Sequence, residues 1–178
     1  DVTWTVANNG SVGLALHAKR NTVFPELPRF GLRLFLPQEM SQVNYYGMGP
    51  MECYRDKHHA ASHSSYTATV WQLHEDYIRP QENGSHFDCD YVMLAGDAVR
   101  LTAVGTQPFS FNASHYTQEE LTRKAHNYEL EPCGSTVLCL DYAQNGIGSE
   151  SCGPRLLEQY RLDDATFNFG LRLFPEKK

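Results

Sequence analysis

The chain has 178 residues, 41 % of them hydrophobic, which fits one domain with a sizeable core. A formal net charge of −6 and the lack of any basic run argue against nucleic acid and anionic membrane surfaces as partners. No apolar run approaches the ~20 residues that span a bilayer. No signal peptide is visible, which carries no weight in a chain that does not begin with Met.

Alternation starts at once. Val2, Trp4 and Val6 point one way, Asn8-Asn9-Gly10 turns, and Val12, Leu14 and Leu16 continue, which predicts a hairpin. A half-buried strand at the first residue implies that the N-terminus is cut from something longer. Period-two runs follow at Phe30/Leu32/Leu34/Leu36, Phe87/Cys89/Tyr91/Met93, Val99/Leu101/Ala103, Val137/Cys139 and Phe167/Phe169/Leu171/Leu173. Turn clusters separate them, as in an all-β sandwich. Gly47, Gly49 and Pro50 break any helix or central strand, so the backbone is expected to turn there. Thr117-Gln118-Glu119-Glu120 has the spelling of a capping box and predicts a helix to about Asn127. A weaker helical segment is expected at residues 56–62. Phe30-Gly31-Leu32-Arg33-Leu34-Phe35 returns as Phe169-Gly170-Leu171-Arg172-Leu173-Phe174, two copies too far apart for an array, read as strands lying side by side. With no linker or low-complexity segment, residues 1–178 are read as a single domain.

Five cysteines, Cys53, Cys89, Cys133, Cys139 and Cys152, are odd in number and share no CxxC spacing. Reduced thiols in a bacterial cytoplasm are the expectation. Asn9-Gly10-Ser11, Asn83-Gly84-Ser85 and Asn112-Ala113-Ser114 match the glycosylation sequon and are read as turns and loops.

Tyr45-Tyr46-Gly47-Met48-Gly49-Pro50-Met51-Glu52-Cys53-Tyr54-Arg55-Asp56 concentrates three tyrosines, two carboxylates and an arginine. Aromatic faces beside paired hydrogen-bonding groups suit a sugar-binding surface, and equally a well-satisfied structural loop. The spelling Gly-x-Gly-Pro-x-Glu-x-Tyr-x-Asp decides more. It resembles a segment of the small chain (the fifth domain) near the C-terminus of family 2 glycoside hydrolase β-galactosidases. Four further matches stand in the right order. They are Pro28-Arg29-Phe30-Gly31-Leu32, Tyr77-Ile78-Arg79-Pro80-Gln81-Glu82-Asn83-Gly84, Phe109-Ser110-Phe111-Asn112-Ala113-Ser114-His115-Tyr116, and Leu140-Asp141-Tyr142-Ala143-Gln144-Asn145-Gly146-Ile147-Gly148-Ser149-Glu150-Ser151-Cys152-Gly153-Pro154.

The resemblance implies a mostly antiparallel, two-layer β supersandwich related to galactose mutarotases, with one or two short helices, of which this chain holds the C-terminal portion. It implies a parent that hydrolyses terminal β-galactosides such as lactose with retention, and that assembles as a homo-oligomer. Both catalytic glutamates of that family lie on a preceding TIM barrel, as do its magnesium and sodium sites, so neither a catalytic residue nor a cofactor is expected here. Glu52, Asp56, Glu82 and Glu150 are the carboxylates available for the paired chemistry of a retaining glycosidase, which needs about 5–5.5 Å between them. The first three are assigned to scaffold with Gly47, Gly49, Pro50, Tyr54, Arg79 and Asn83, Arg79 being a partner for a buried carboxylate.

In the family, the loop matching residues 145–154 reaches the barrel's active site, where some members stack a tryptophan on the leaving-group sugar. Cys152 stands at that position here, flanked by Ser151 and Gly153, and a thiol offers no aromatic face. These three are the candidate substrate contacts, with simple packing of Cys152 as the alternative. Asn145, Ser149 and Glu150 depart from the Met, Gly and Asp expected in that run, as do Cys53 and Lys57 from Asn and Arg in the opening motif.

Cys53, His58, His59 and His63, or His86 with Cys89, offer soft or imidazole groups, without the paired frame of a zinc site. A structural role is assigned to them and no metal is expected. Cys152 as a nucleophile lacks a histidine placed by local sequence. Two other readings stay open. One is a free-standing carbohydrate-binding module with Tyr45, Tyr46, Tyr54 or Trp71 as its platform. The other is part of a separately encoded small subunit completing a large subunit's site in trans.

Overall fold

A computed structural model describes residues 1–147 and 155–178. Among the described residues nine strands carry the fold: β1 (Val2–Val6), β2 (Val12–Lys19), β3 (Arg29–Pro37), β4 (Gln42–Gly49), β5 (Ser62–Thr69), β6 (Ser85–Ala95), β7 (Val99–Ser114), β8 (Ser135–Gln144) and β9 (Thr166–Lys177). One α-helix, α1 (Gln118–Arg123), and short 3₁₀ turns join them. All pairings are antiparallel, in the order β1-β2-β9-β7-β6-β4-β5, with β8 added to β7 and β3 to β8. The chain is therefore all-β, as its alternation predicts.

Every period-two run became a strand, although how much of its face is buried differs from strand to strand. Trp4, Leu14 and Leu171 share a row across β1, β2 and β9. Leu14 and Leu171 are buried, whereas Val2, Trp4 and Val6 on the edge strand stay exposed. Asn8-Asn9-Gly10 makes the expected turn, with Gly10 at φ +82° and the Asn9 side chain accepting from the Ser11 N–H at 3.1 Å.

The long strand β7 shapes the sandwich. Residues 99–105 pair with β9 and residues 110–114 pair with β8, while β6 follows both halves through two bulges. Gly105 sits at this change of partner, where a Cβ would overlap the Gln107 carbonyl. The sheet consequently folds over itself. Leu36 and Met40 line one groove with Leu101 and Pro175, although β3 and β9 are separated by two strands in hydrogen-bond order. The main core gathers Leu14, Val43, Leu94, Phe111, Leu140 and Leu171 from six strands. A smaller core of Ala143, Leu162 and Phe167, with Phe30 stacked on Phe167 at 4.6 Å, closes the other end.

Several expectations fail locally. Residues 47–49 do not turn: β4 runs through Gly49, and the chain bends only from Pro50. The glycines serve close packing instead, since a Cβ at Gly47 would strike Cys89 and one at Gly49 the Tyr45 hydroxyl. Residues 56–62 form turns rather than helix. The helix after Thr117 stops at Arg123. Thr117 caps the Glu120 N–H at 3.1 Å, but Glu120 does not reach back; it accepts from the Glu131 N–H and pairs with Arg123 and Lys124. The two copies of the repeated hexapeptide are not neighbours, because among the described residues β3 pairs with β8, and β9 with β2 and β7. Asn112 lies inside β7, buried, and not in a loop.

Candidate functional site

The motif of residues 45–56 is largely interior. Tyr45 is fully buried, its ring against Tyr66, His86 and Phe111 with centroids 5.4, 4.5 and 5.0 Å away. Tyr54 is 2 % exposed, and burial holds its hydroxyl well above the ordinary phenol range. Neither ring can serve as a sugar platform; of the four candidates only Tyr46 and Trp71 reach solvent.

Glu52, also buried, is the hub. Its carboxylate accepts from Lys57 Nζ at 2.6 Å, from the Tyr77 hydroxyl, and from the Gly84 N–H at 2.9 Å, with the Tyr54 hydroxyl at 3.4 Å. Burial pushes the carboxyl up, yet the bonds from Lys57, Tyr77 and Gly84 outweigh it and hold the group below its usual range. Gly84 adopts φ +68°, and a Cβ there would strike the Leu73 carbonyl, so the close approach that delivers its N–H requires glycine. Tyr54 and Lys57 exchange main-chain hydrogen bonds of 2.8 and 3.0 Å. Arg55 and Asp56 are thereby presented at the tip of a tight turn.

A second ionic cluster lies close by in the chain's order of motifs. Arg29 binds Asp141 through Nη2 at 2.5 Å and Nε at 3.3 Å, and Glu82 through Nη1 at 3.1 Å. The Gln144 amide donates to both carboxylates, at 3.4 and 3.3 Å. Burial, reinforced by the charge of Asp141 against the pull of Arg29, raises Glu82 above the ordinary carboxylate range. Burial raises Asp141 likewise. Arg79, expected to pair with a buried carboxylate, is exposed and meets no described acidic group; Arg29 takes that role. Asn83 is buried, donating to the Gln81 carbonyl and accepting from the Glu75 N–H, while its carbonyl accepts from Asn112.

The five motifs therefore converge. Glu52 meets Gly84, Arg29 joins Glu82 to Asp141, Asn112 reaches Asn83, Asn145 bonds the Pro28 carbonyl, and Asp56 packs on Gly146. Each motif supplies at least one polar group to this junction, which sits where β8 leads into Asn145. Of the candidate stretch 145–154, residues 148–154, including Ser151, Cys152 and Gly153, as well as Glu150, lie outside the described residues. Sequence reasoning missed Arg29, Lys57, Gln144 and Asp141 as partners; the one signal was that all but Lys57 stand inside quoted motifs.

The histidines and thiols go elsewhere than to a shared centre. His86 Nδ1 meets the Met48 carbonyl at 3.1 Å, His63 Nε2 the Asp88 carbonyl at 3.0 Å, and the Cys53 thiol the Met48 carbonyl at 3.4 Å. Burial lowers His86 to about 4, so it is neutral at physiological pH. Among the described residues no group of three metal-ligating side chains assembles, and the four described cysteines carry free thiols. None of the described helices is long and apolar enough to cross a membrane.

The described residues thus form a buried polar junction on an all-β antiparallel frame, the class of fold to which the chain belongs. Comparison with known proteins makes this specific. The family model for the β-galactosidase small chain matches residues 1–173. The β-galactosidase of Actinobacillus pleuropneumoniae is 46 % identical over 177 residues, 99 % of this chain and 17 % of that protein. Those of Staphylococcus xylosus and Lactococcus lactis are 42 % and 33 % identical over 97 % and 92 % of the chain, covering 17 % and 16 % of their own lengths. The chain belongs to the β-galactosidase small-chain family, and it spans about one sixth of the curated relatives it matches.

Proposed function

We propose that residues 1–178 form one domain of a family 2 β-galactosidase that supplies scaffold and one wall of the substrate site, and not the catalytic carboxylates. The parent enzyme hydrolyses terminal β-D-galactosides such as lactose with retention of configuration. Ser151, Cys152 and Gly153 contact the leaving-group sugar, and the magnesium and sodium that the family uses belong to the parent's barrel. The parent is a cytoplasmic bacterial homo-oligomer; completion by a separately encoded large subunit is the variant of the same reading.

The observation that carries this reading is the commitment of the buried and half-buried carboxylates. Glu52 is tied to Lys57, and Glu82 and Asp141 to Arg29, which suits load on the scaffold rather than attack on a glycosidic bond. The exposed apolar row of Val2, Trp4 and Val6 on an edge strand supports a contact with the remainder of the enzyme. The purified chain should leave a chromogenic β-galactoside uncleaved while the full-length enzyme turns it over. Enzyme-like rates from the chain alone sink the proposal. Galactose titration followed by the fluorescence of Trp4 and Trp71 should show no shift; a saturable shift would favour a free-standing carbohydrate-binding module.

A further inference from the structure

Among the described residues β1 pairs with β2 alone, so its other side is an open edge. The ends of the strand settle which main-chain groups face that edge. Asp1 and His17 bond each other in both directions, and the Ala7 N–H donates to the Ser11 carbonyl at 2.9 Å. In an antiparallel ladder such bonded pairs alternate with unbonded ones. Thr3 and Thr5 therefore bond Ala15 and Gly13 of β2, while the N–H and C=O groups of Val2, Trp4 and Val6 point to the open side. The side chains of the same three residues share the core-facing side of the sheet with Leu14, yet stay 59, 51 and 74 % exposed.

The other described edges carry features that discourage pairing. β3 has Arg29, Arg33, Pro37 and a bulge at Phe30/Gly31, and β5 is mostly Ser, Thr and His. β1 has no charge, proline, glycine or bulge. Its sequence, Val2-Thr3-Trp4-Thr5-Val6, also reads the same in both directions. Laid antiparallel against its own copy, with a two-fold axis at Trp4, it sets Trp4 opposite Trp4, Val2 opposite Val6 and Thr3 opposite Thr5. The phase of the ladder fits too, because each copy's three outward N–H groups meet the other's three outward C=O groups. On one face the two apolar rows merge around paired indoles. On the other, threonines face each other across unbonded pairs with Cα atoms about 4.5 Å apart.

We infer that β1 is a self-complementary edge: in the chain by itself it pairs antiparallel with the β1 of a second copy, across a two-fold axis at Trp4. Each free group bonds once, so this pairing and a strand supplied by the remainder of the enzyme exclude each other. The pairing is independent of any role at the substrate. A strand of five residues buries less than the roughly 1,200 Å² at which stable interfaces begin, so the dimer is weak and forms as concentration rises.

The test is sedimentation of the purified 178-residue chain at concentrations up to about 0.5 mM, with amide exchange read residue by residue. The mean mass should climb toward twice that of one chain. The amides of Val2, Trp4 and Val6 should exchange more slowly as concentration rises, whereas those of Thr3 and Thr5, already bonded to β2, should not change. Trp4→Lys and Trp4→Glu each set like charges opposite one another at the axis and should weaken the dimer at least about tenfold; their equimolar mixture should recover it. A chain that stays single overturns the inference, and protection of the three amides confined to the full-length enzyme would then give the edge to the remainder of the enzyme. A dimer that leaves those amides unslowed uses another surface and overturns it too. A mixture no stronger than either variant overturns the two-fold register at Trp4. If the variants lose the wild-type circular dichroism, the wild-type exchange pattern decides alone.

Discussion

Glu52 and the Glu82–Asp141 pair, in which Asp141 is buried and Glu82 partly so, are acidic sites within one junction, and they are stabilised in opposite ways. Glu52 is a single carboxylate facing an ammonium, a phenol and a main-chain N–H, so its charged form is over-supplied with donors. Glu82 and Asp141 share one guanidinium and one amide, so two negative charges compete for a single cation. The lesson is that burial alone does not set the state of an acid; the ratio of donors to carboxylates does.

Removing the shared cation should break the second site most severely. Arg29→Met strands the buried Asp141 beside the half-buried Glu82 and should cost about 3–5 kcal/mol in urea unfolding. A loss below about 1 kcal/mol would mean that the carboxyls are already neutral and the guanidinium dispensable. Glu52→Gln comes next, at about 1–3 kcal/mol, because three donors lose their charged acceptor although the half-exposed Lys57 can turn to water. Glu82→Gln should move stability little at neutral pH, within about 0.5 kcal/mol or slightly upward, since it removes one of two competing charges while Arg29 keeps Asp141. Equal losses in Glu52→Gln and Glu82→Gln would erase the contrast between the sites.

The finest test is pH. Glu52 has a folded value below its unfolded one, so its contribution is full above about pH 4.3 and is lost as pH falls through the folded value. Glu82 has a folded value above its unfolded one, so its protonated form favours the fold at low pH, and that advantage is lost as pH rises from about 4.3 toward the raised value. Stability measured from pH 3 upward should therefore lose part of its acid-side slope in Glu52→Gln, and part of an opposing slope in Glu82→Gln. Both variants changing the same limb would contradict the assignment.

Much of the fold was legible in particular residues. Val2/Trp4/Val6 with Asn9-Gly10 announced the first hairpin, and Phe167/Phe169/Leu171/Leu173 announced β9, whose one buried face writes period two into its sequence. β4 was hidden by Gly47 and Gly49, whose missing side chains look like a turn until Cys89 and Tyr45 are seen pressed against them. Asn145, met first as a departure from the family spelling, shows only in the fold that its side-chain Oδ1 accepts from the Leu162 N–H at 2.6 Å. Nothing in the spelling of Arg29 or Arg79 distinguished the one that pairs with carboxylates from the one that faces solvent.

By itself, the sequence determined seven of the nine described strands, the first hairpin turn, the N-cap at Thr117 and, through five ordered motifs, the family. Tertiary structure alone decided which motif residues meet: Arg29 with Glu82 and Asp141, Glu52 with Gly84, Asn145 with Leu162. The physical reason is range. Alternation, turn chemistry and capping act between residues a few positions apart, where the sequence shows both partners. The ion clusters and the Asn145 bond join residues separated by up to 112 positions, and their partners are chosen by where the folded sheet brings strands together.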